Sequence, residues 1–152
     1  MAEKQAAASG FVLPDLEDPG ASGFWEGTAR GELRVERCGD CGRRRMPPRP
    51  MCPACQSLKR EWETLSGRGT IWSFVVPHPP LLPAYAELAP YNAVLVSLDE
   101  DPSLRLVGNL VASSDGPINE IDPNTIQIGE PVRVVFHQVE DVHLPRWVRA
   151  QS

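Results

Sequence analysis

Cys38-Gly-Asp-Cys41 and Cys52-Pro-Ala-Cys55, with ten residues between them, hold every cysteine in the chain. Two residues between thiols let both sulfurs of a pair turn toward one point. Two such pairs supply four thiolates, which suits a tetrahedral zinc with ligands near ~2.3 Å. Gly39 and Gly42 flank the first pair and permit the tight backbone turn of a metal knuckle, and Pro53 stiffens the second pair. The loop between the pairs is a little shorter than common ribbon spacing. Two disulfides are the alternative; a redox Cys-x-x-Cys would not need a partner pair. The expected metal set is Cys38, Cys41, Cys52 and Cys55. A four-cysteine site has no open position for water, so this zinc is expected to hold structure rather than to catalyse.

The 152 residues are enough for a small metal module, which takes much of its folding energy from the metal, and a body large enough to bury a core. The net charge of −5 is uneven. Residues 30–60 hold nine Lys/Arg against three Asp/Glu, a local +6, and the rest carries −11. A basic metal module thus sits beside an acidic body. Sixteen prolines and twelve glycines argue for short elements and many turns. No run approaches the ~20 apolar residues of a membrane span. Met1-Ala-Glu-Lys4 lacks the charged and apolar regions of a signal peptide, so a cytoplasmic location is expected.

Outward toward the N-terminus, residues 1–20 read as a flexible tail, and 21–66 as a helix plus zinc ribbon. The helix is expected over Ser22–Arg30, with Ser22 as N-cap, Glu26 four residues before Arg30, and Gly31 ending it. Phe24, Trp25, Thr28 and Ala29 make its less polar side. The two aromatics either pack on the body of the chain or hook into a partner. Leu33–Cys38 alternates as a strand into the first knuckle, and Trp62 and Leu65 lie in the strand that leaves the ribbon. Arg43, Arg44, Arg45 and Arg49 sit on a loop kept extended by prolines.

Toward the C-terminus, Gly67-Arg-Gly69 turns the chain. β-Branched and aromatic runs follow at Thr70–Val76, Ala93–Leu98, Leu104–Val111 and Val132–Phe136, with a lead-in strand at Thr125–Ile128. Strands at this spacing, with no long helical pattern between them, predict a small closed barrel over 67–140. Residues 141–152 read as a C-terminal tail carrying Trp147. The loop Pro77–Tyr91 is too apolar for ordinary solvent-facing filler, and long loops of this kind tend to be functional.

Phe24-Trp25, Gly31-Glu-Leu33, Cys38 to Gly42, Pro47-Pro-Arg49, Cys52 to Cys55 and Ser66 to Thr70 occur in this order. The pattern resembles the acyl-CoA-associated proteins that join a rubredoxin-like zinc ribbon to an OB fold. The resemblance runs from about Phe24 to Phe136 and implies a mainly β protein: a helix and four-cysteine ribbon before a five-stranded OB barrel. It implies a companion of thiolase-fold enzymes, and sometimes of hydratases, that helps position an acyl-CoA. Arg30-Gly-Glu-Leu-Arg34 and the stretch from Arg49 to Ser57 resemble the branch that pairs with a thiolase-like aldolase acting on a steroid side-chain CoA thioester. Asp99-Glu-Asp-Pro102 replaces the family's usual acidic-Glu-Gly turn.

No Gly-rich phosphate loop, serine nucleophile elbow or His-Glu-x-x-His helix is present, so no complete active site is expected. The ligand-binding candidates are Arg43, Arg44, Arg45, Arg49, His78 and Tyr91, arginine being suited to the phosphates and adenine of CoA. The partner-interface candidates are Phe24, Trp25, Leu81, Leu82, Tyr85 and Leu88. The expected partner is a thiolase-fold subunit in a heterotetramer or larger assembly, with structural zinc as cofactor and acyl-CoA as ligand. A single-stranded nucleic-acid module is the alternative, since OB folds and arginine patches serve that role. The net negative charge and acidic barrel oppose a continuous nucleic-acid track.

Overall fold

The computed structural model describes residues 10–150. Residues 1–9, part of the expected tail, lie outside the described residues. Residues 10–20 are tied down rather than free. The Val12 amide donates to the Tyr85 hydroxyl (3.3 Å), and Arg60 donates to the carbonyls of Pro19 (2.6 Å) and Gly20 (3.3 Å).

Helix α1 spans Ser22–Ala29. Its N-cap is Ala21, with no side-chain cap, so Ser22 begins the helix instead of capping it. The buried face is Gly23, Phe24, Gly27 and Thr28, and Ala29 is exposed. The glycines explain the shift of face. A Cβ on Gly23 would lie 2.2 Å from the Trp62 indole, so that ring is seated directly on the helix backbone. Gly31, at φ +75°, then turns the chain into β1 (Leu33–Cys38). β1 is the middle strand of a three-stranded antiparallel sheet, between β2 (Arg44–Arg45) and β3 (Arg60–Leu65).

A second, five-stranded sheet follows, ordered β6-β5-β4-β7-β8. Its strands are β4 (Arg68–Val75), β5 (Ala93–Leu98), β6 (Asp101–Gly108), β7 (Pro131–Val139) and β8 (Val142–Arg149). Beyond β6 the chain meets β8 and closes the curl. The Val111 amide donates to the Trp147 carbonyl (2.8 Å), the Trp147 amide to the Asn109 carbonyl (2.9 Å), and Leu110 bridges Trp147 in parallel. Buried Asn92 fixes this closure, donating to the Leu110 carbonyl and accepting from the Leu110 amide at 2.9 and 2.7 Å. The result is the five-stranded OB-like barrel that the sequence predicts.

Two expectations in this half are corrected. Val142–Arg149, within the expected C-terminal tail, form a strand, because β8 pairs with β7 along its whole length and Trp147 has no solvent exposure. Thr125–Ile128 is not a strand. Pro123–Thr125 forms a 3-10 turn capped by Asp122, and only Gly129 and Glu130 reach β4, through Ile71. β6 begins three residues earlier than Leu104, which puts Pro102 in it. Proline is tolerated there because β6 is at the end of the sheet order, where its missing N–H interrupts no ladder.

The hydrophobic core crosses the boundary between the two sheets. Phe24, Leu33, Val35 and Leu65 from the helix and ribbon form one cluster with Ile71, Leu98, Leu104 and Trp147 of the barrel. No described helix is long and apolar enough to cross a membrane.

Candidate functional site

The two knuckles are built alike. The Gly42 amide donates to the Cys38 carbonyl (3.1 Å), and the Gln56 amide donates to the Cys52 carbonyl (2.9 Å). Both turns need a left-handed residue directly after the second cysteine. Gly42 supplies φ +74° without a side chain to clash, whereas Gln56 is held at φ +62°. A left-handed non-glycine residue costs roughly 1–2 kcal/mol, partly offset by the freedom a glycine would bring to the unfolded chain. Gln56→Gly is therefore expected to raise stability by a few tenths to about 1 kcal/mol, read as a higher denaturation midpoint at unchanged zinc content. An unchanged or lower midpoint would show the turn to be unstrained.

The four sulfurs lie within 4.8 Å of one another. Cys38 Sγ is 3.6 Å from Cys55 Sγ, and Cys41 Sγ is 3.7 Å from Cys52 Sγ. Both distances are far too long for a disulfide. They match the ~3.8 Å edge of a tetrahedron with ~2.3 Å metal–sulfur bonds. The donor set therefore fits zinc, and the disulfide alternative is excluded. The amides of Cys41 and Asp40 pull the Cys38 thiol down to about 6. At Cys55 the Ser57 amide acts downward, but the neighbouring sulfurs, Cys38 foremost, push it up to about 12. At neutral pH Cys55 is therefore protonated until a cation displaces its proton.

The basic patch expected beside the metal is largely neutralised. Arg44 makes a two-pronged contact with Glu63 (2.8 and 2.8 Å) and reaches the Glu100 carbonyl (3.1 Å) in the turn between β5 and β6. That hydrogen-bonded guanidinium holds Glu63 below the usual carboxylate range. Glu100 also accepts from the Ser66 amide (2.7 Å), so the turn Asp99–Pro102 braces barrel against ribbon. Arg45 is buried against Glu36, whose carboxylate has no exposure and also accepts from Arg60 (3.1 Å) and the Arg49 amide (3.1 Å). Arg44 and Arg45, both expected on a ligand, are thus held in ion pairs with carboxylates of their own chain. Arg43 and Arg49 keep exposed side chains.

The other candidates scatter. His78 is exposed. Tyr91 is buried in a second cluster with Val111, Ile118 and Val148, which does not suit a residue meant to touch a ligand. Phe24 is core and Trp25 half-buried, edge to face at 4.8 Å, so the helix aromatics pack on their own chain. Leu81, Tyr85 and Leu88 pack on the Tyr91 cluster, and Tyr85 lies under Phe11 with ring centroids 5.0 Å apart. Leu82 alone among the expected interface residues is well exposed, at 56%. Sequence reasoning passed over Arg68 and Arg133, directly opposite each other on β4 and β7 and both exposed, at the rim of a shallow depression of about 1210 Å³.

A four-thiol ribbon joined to a closed five-stranded barrel defines a zinc-ribbon and OB-fold protein. Residues 25–59 match the "ChsH2, rubredoxin-like zinc ribbon domain" and residues 62–137 the "ChsH2, C-terminal OB-fold domain". The chain belongs to the ChsH2 family. It is 34% identical over 151 residues to the 3-oxo-4,17-pregnadiene-20-carboxyl-CoA hydratase alpha subunit of Mycobacterium tuberculosis, covering 93% of this chain and 44% of that protein. It is 32% identical to a DUF35 domain-containing scaffold protein of Methanothermobacter thermautotrophicus, covering 74% of this chain and 77% of that one. Among solved structures it is similar to a chain of the "Ltp2-ChsH2(DUF35) aldolase", with a TM-score of 0.76, 31% identity, and coverage of 91% of this chain and all of that one. The chain spans less than half the length of the two hydratase alpha subunits it matches, 44% and 31%.

Proposed function

We propose that this chain is a companion subunit that binds a thiolase-fold aldolase or thiolase and helps form its acyl-CoA site, in cleavage of a steroid side-chain CoA thioester. The observation that carries the reading is the match, over 91% of this chain, to a chain of the "Ltp2-ChsH2(DUF35) aldolase". The chemistry of this chain agrees with a supporting role. Its four thiols form the metal set, His78 is exposed, and His137 faces Asp115 at 3.3 Å. The zinc braces the ribbon, the ribbon braces the barrel, and the barrel presents loops to the partner. Arg43 and Arg49, with Arg68 and Arg133, are exposed cations suited to CoA phosphates. The reading places the protein in the cytoplasm, in lipid metabolism, within a heterotetramer or larger assembly.

The isolated chain is expected to turn over no acyl-CoA, and to co-elute with and activate the matching thiolase-fold subunit. Turnover by the chain alone would overturn the reading. The interface is expected to include the exposed Leu82. Leu82→Asp should then weaken assembly by more than ~1 kcal/mol, measured by calorimetric titration, with the unfolding midpoint unchanged. Wild-type affinity in this variant would remove the loop from the interface.

A further inference from the structure

Arg45 stands beside the four sulfurs with a donor to spare. It lies opposite Glu36 in the antiparallel pairing of β1 and β2. Glu36 and Cys38, two residues apart on β1, project from the same face of the sheet. A long side chain on β2 can reach across that face to its diagonal neighbour, which here is Cys38. The Arg45 side chain is only 6% exposed. Its Nε donates to Glu36, and its Nη2 donates to the Arg49 carbonyl (3.2 Å). Nη1 is buried and, among the described residues, has no hydrogen-bond partner. The anionic groups that act on this cation are Glu36, Cys52 and Cys38. Those two cysteines are the buried pair of the metal set, whereas Cys41 and Cys55 are exposed.

A buried donor left without an acceptor is costly. A divalent ion held by four thiolates carries an excess of negative charge, and Cys38 and Cys52 are shut away from the water that would solvate it. Backbone donors answer part of that need, since the Cys41 amide donates to Cys38 Sγ at 3.5 Å. The neighbouring cluster of one carboxylate, Glu36, and two guanidiniums, Arg45 and Arg60, has positive charge in surplus. We propose that Arg45 is a positioning residue of the metal centre, with Nη1 donating to the Cys38 thiolate of the zinc-loaded ribbon. A charged donor on the sulfur holds the thiolate in place and lowers the electron density it offers to protons and electrophiles. Glu36 then has a second part beyond the ion pair, which is to aim the guanidinium. The proposal concerns the ribbon alone and does not depend on the companion reading.

The test uses the full chain loaded with cobalt(II), whose sulfur-to-metal charge-transfer band reports electron density on the thiolates, together with chelator competition for zinc. Arg45→Met is expected to move the band to lower energy, because a sulfur relieved of its hydrogen bond gives up electrons more readily. It should also weaken zinc binding about tenfold or more. Glu36→Leu combined with Arg45→Met removes both charges and should show the same shift, so the test stands if Arg45→Met alone fails to fold. Arg60→Gln disturbs the same ion cluster, but Arg60 is already engaged by Glu36 and the carbonyls of Pro19 and Gly20. It should leave the band where it is. An unmoved band in the double variant, an equal shift in Arg60→Gln, or zinc affinity within about twofold of wild type in the double variant overturns the proposal.

Discussion

Cys41→Ser is expected to take zinc from one per chain to none and to unfold the ribbon. Removing one thiolate from four destroys the closed tetrahedral set, and structural zinc of this type supplies on the order of 10 kcal/mol to folding. Metal analysis reads the stoichiometry, and hydrogen exchange reads β1 and β3. The barrel should melt earlier as well, because Phe24, Leu33, Val35 and Leu65 belong to the same cluster as Ile71 and Trp147. A variant that keeps its zinc, or loses it with an unchanged barrel melt, would refute this account. Acid should do the same to the wild type, since metal binding displaces thiol protons and affinity falls with pH. Without metal, Cys55 stays protonated up to about 12, so loading at neutral pH must release a proton. Cys38, lowered to about 6, is the opposite case. Its contribution to the metal-free fold is full above its unfolded pKa of ~8.5 and is lost as pH falls through 6.

Glu36→Ala should be the most damaging change outside the cysteines. It leaves Arg45, only 6% exposed, with no carboxylate, and leaves the Arg49 amide without its acceptor. Arg60 loses its ion pair but keeps the carbonyls of Pro19 and Gly20. Breaking one side of a buried ion cluster costs about 3–5 kcal/mol. The joint change Glu36→Leu and Arg45→Met, which removes both charges, should recover much of that loss. Denaturant unfolding of the zinc-loaded chain measures both. A loss under ~1 kcal/mol for Glu36→Ala would mean that water, rather than Glu36, solvates Arg45.

The metal site was legible because the distance between thiols is set by local spacing alone. The barrel was legible because β-branched runs such as Ala93–Leu98 have few other homes. What could not be read depended on contacts between distant segments. Glu36 and Glu63 neutralise Arg45 and Arg44 through strand pairing and packing that spacing does not show. Gly23 and Gly27 carry no hydrophobic signal, yet they are the surface on which Trp62 and Arg34 rest. β8 is interrupted by Pro145, and its turn at Glu140 and Asp141 has no glycine, although Glu140 sits at φ +56°. The apolar loop before β5 suggested an external partner, but most of it packs on Tyr91 within its own chain.

The core that runs unbroken from ribbon to barrel makes this polypeptide answer to its ion supply. A ligand that binds only the folded state stabilises it in proportion to the logarithm of its free concentration, and here that stabilisation reaches Trp147 and Leu104 through Phe24 and Leu33. In a metal-starved cell the pool of well-formed barrels would shrink. Metal scarcity would thus act on the amount of protein fit to assemble, with no regulator interposed.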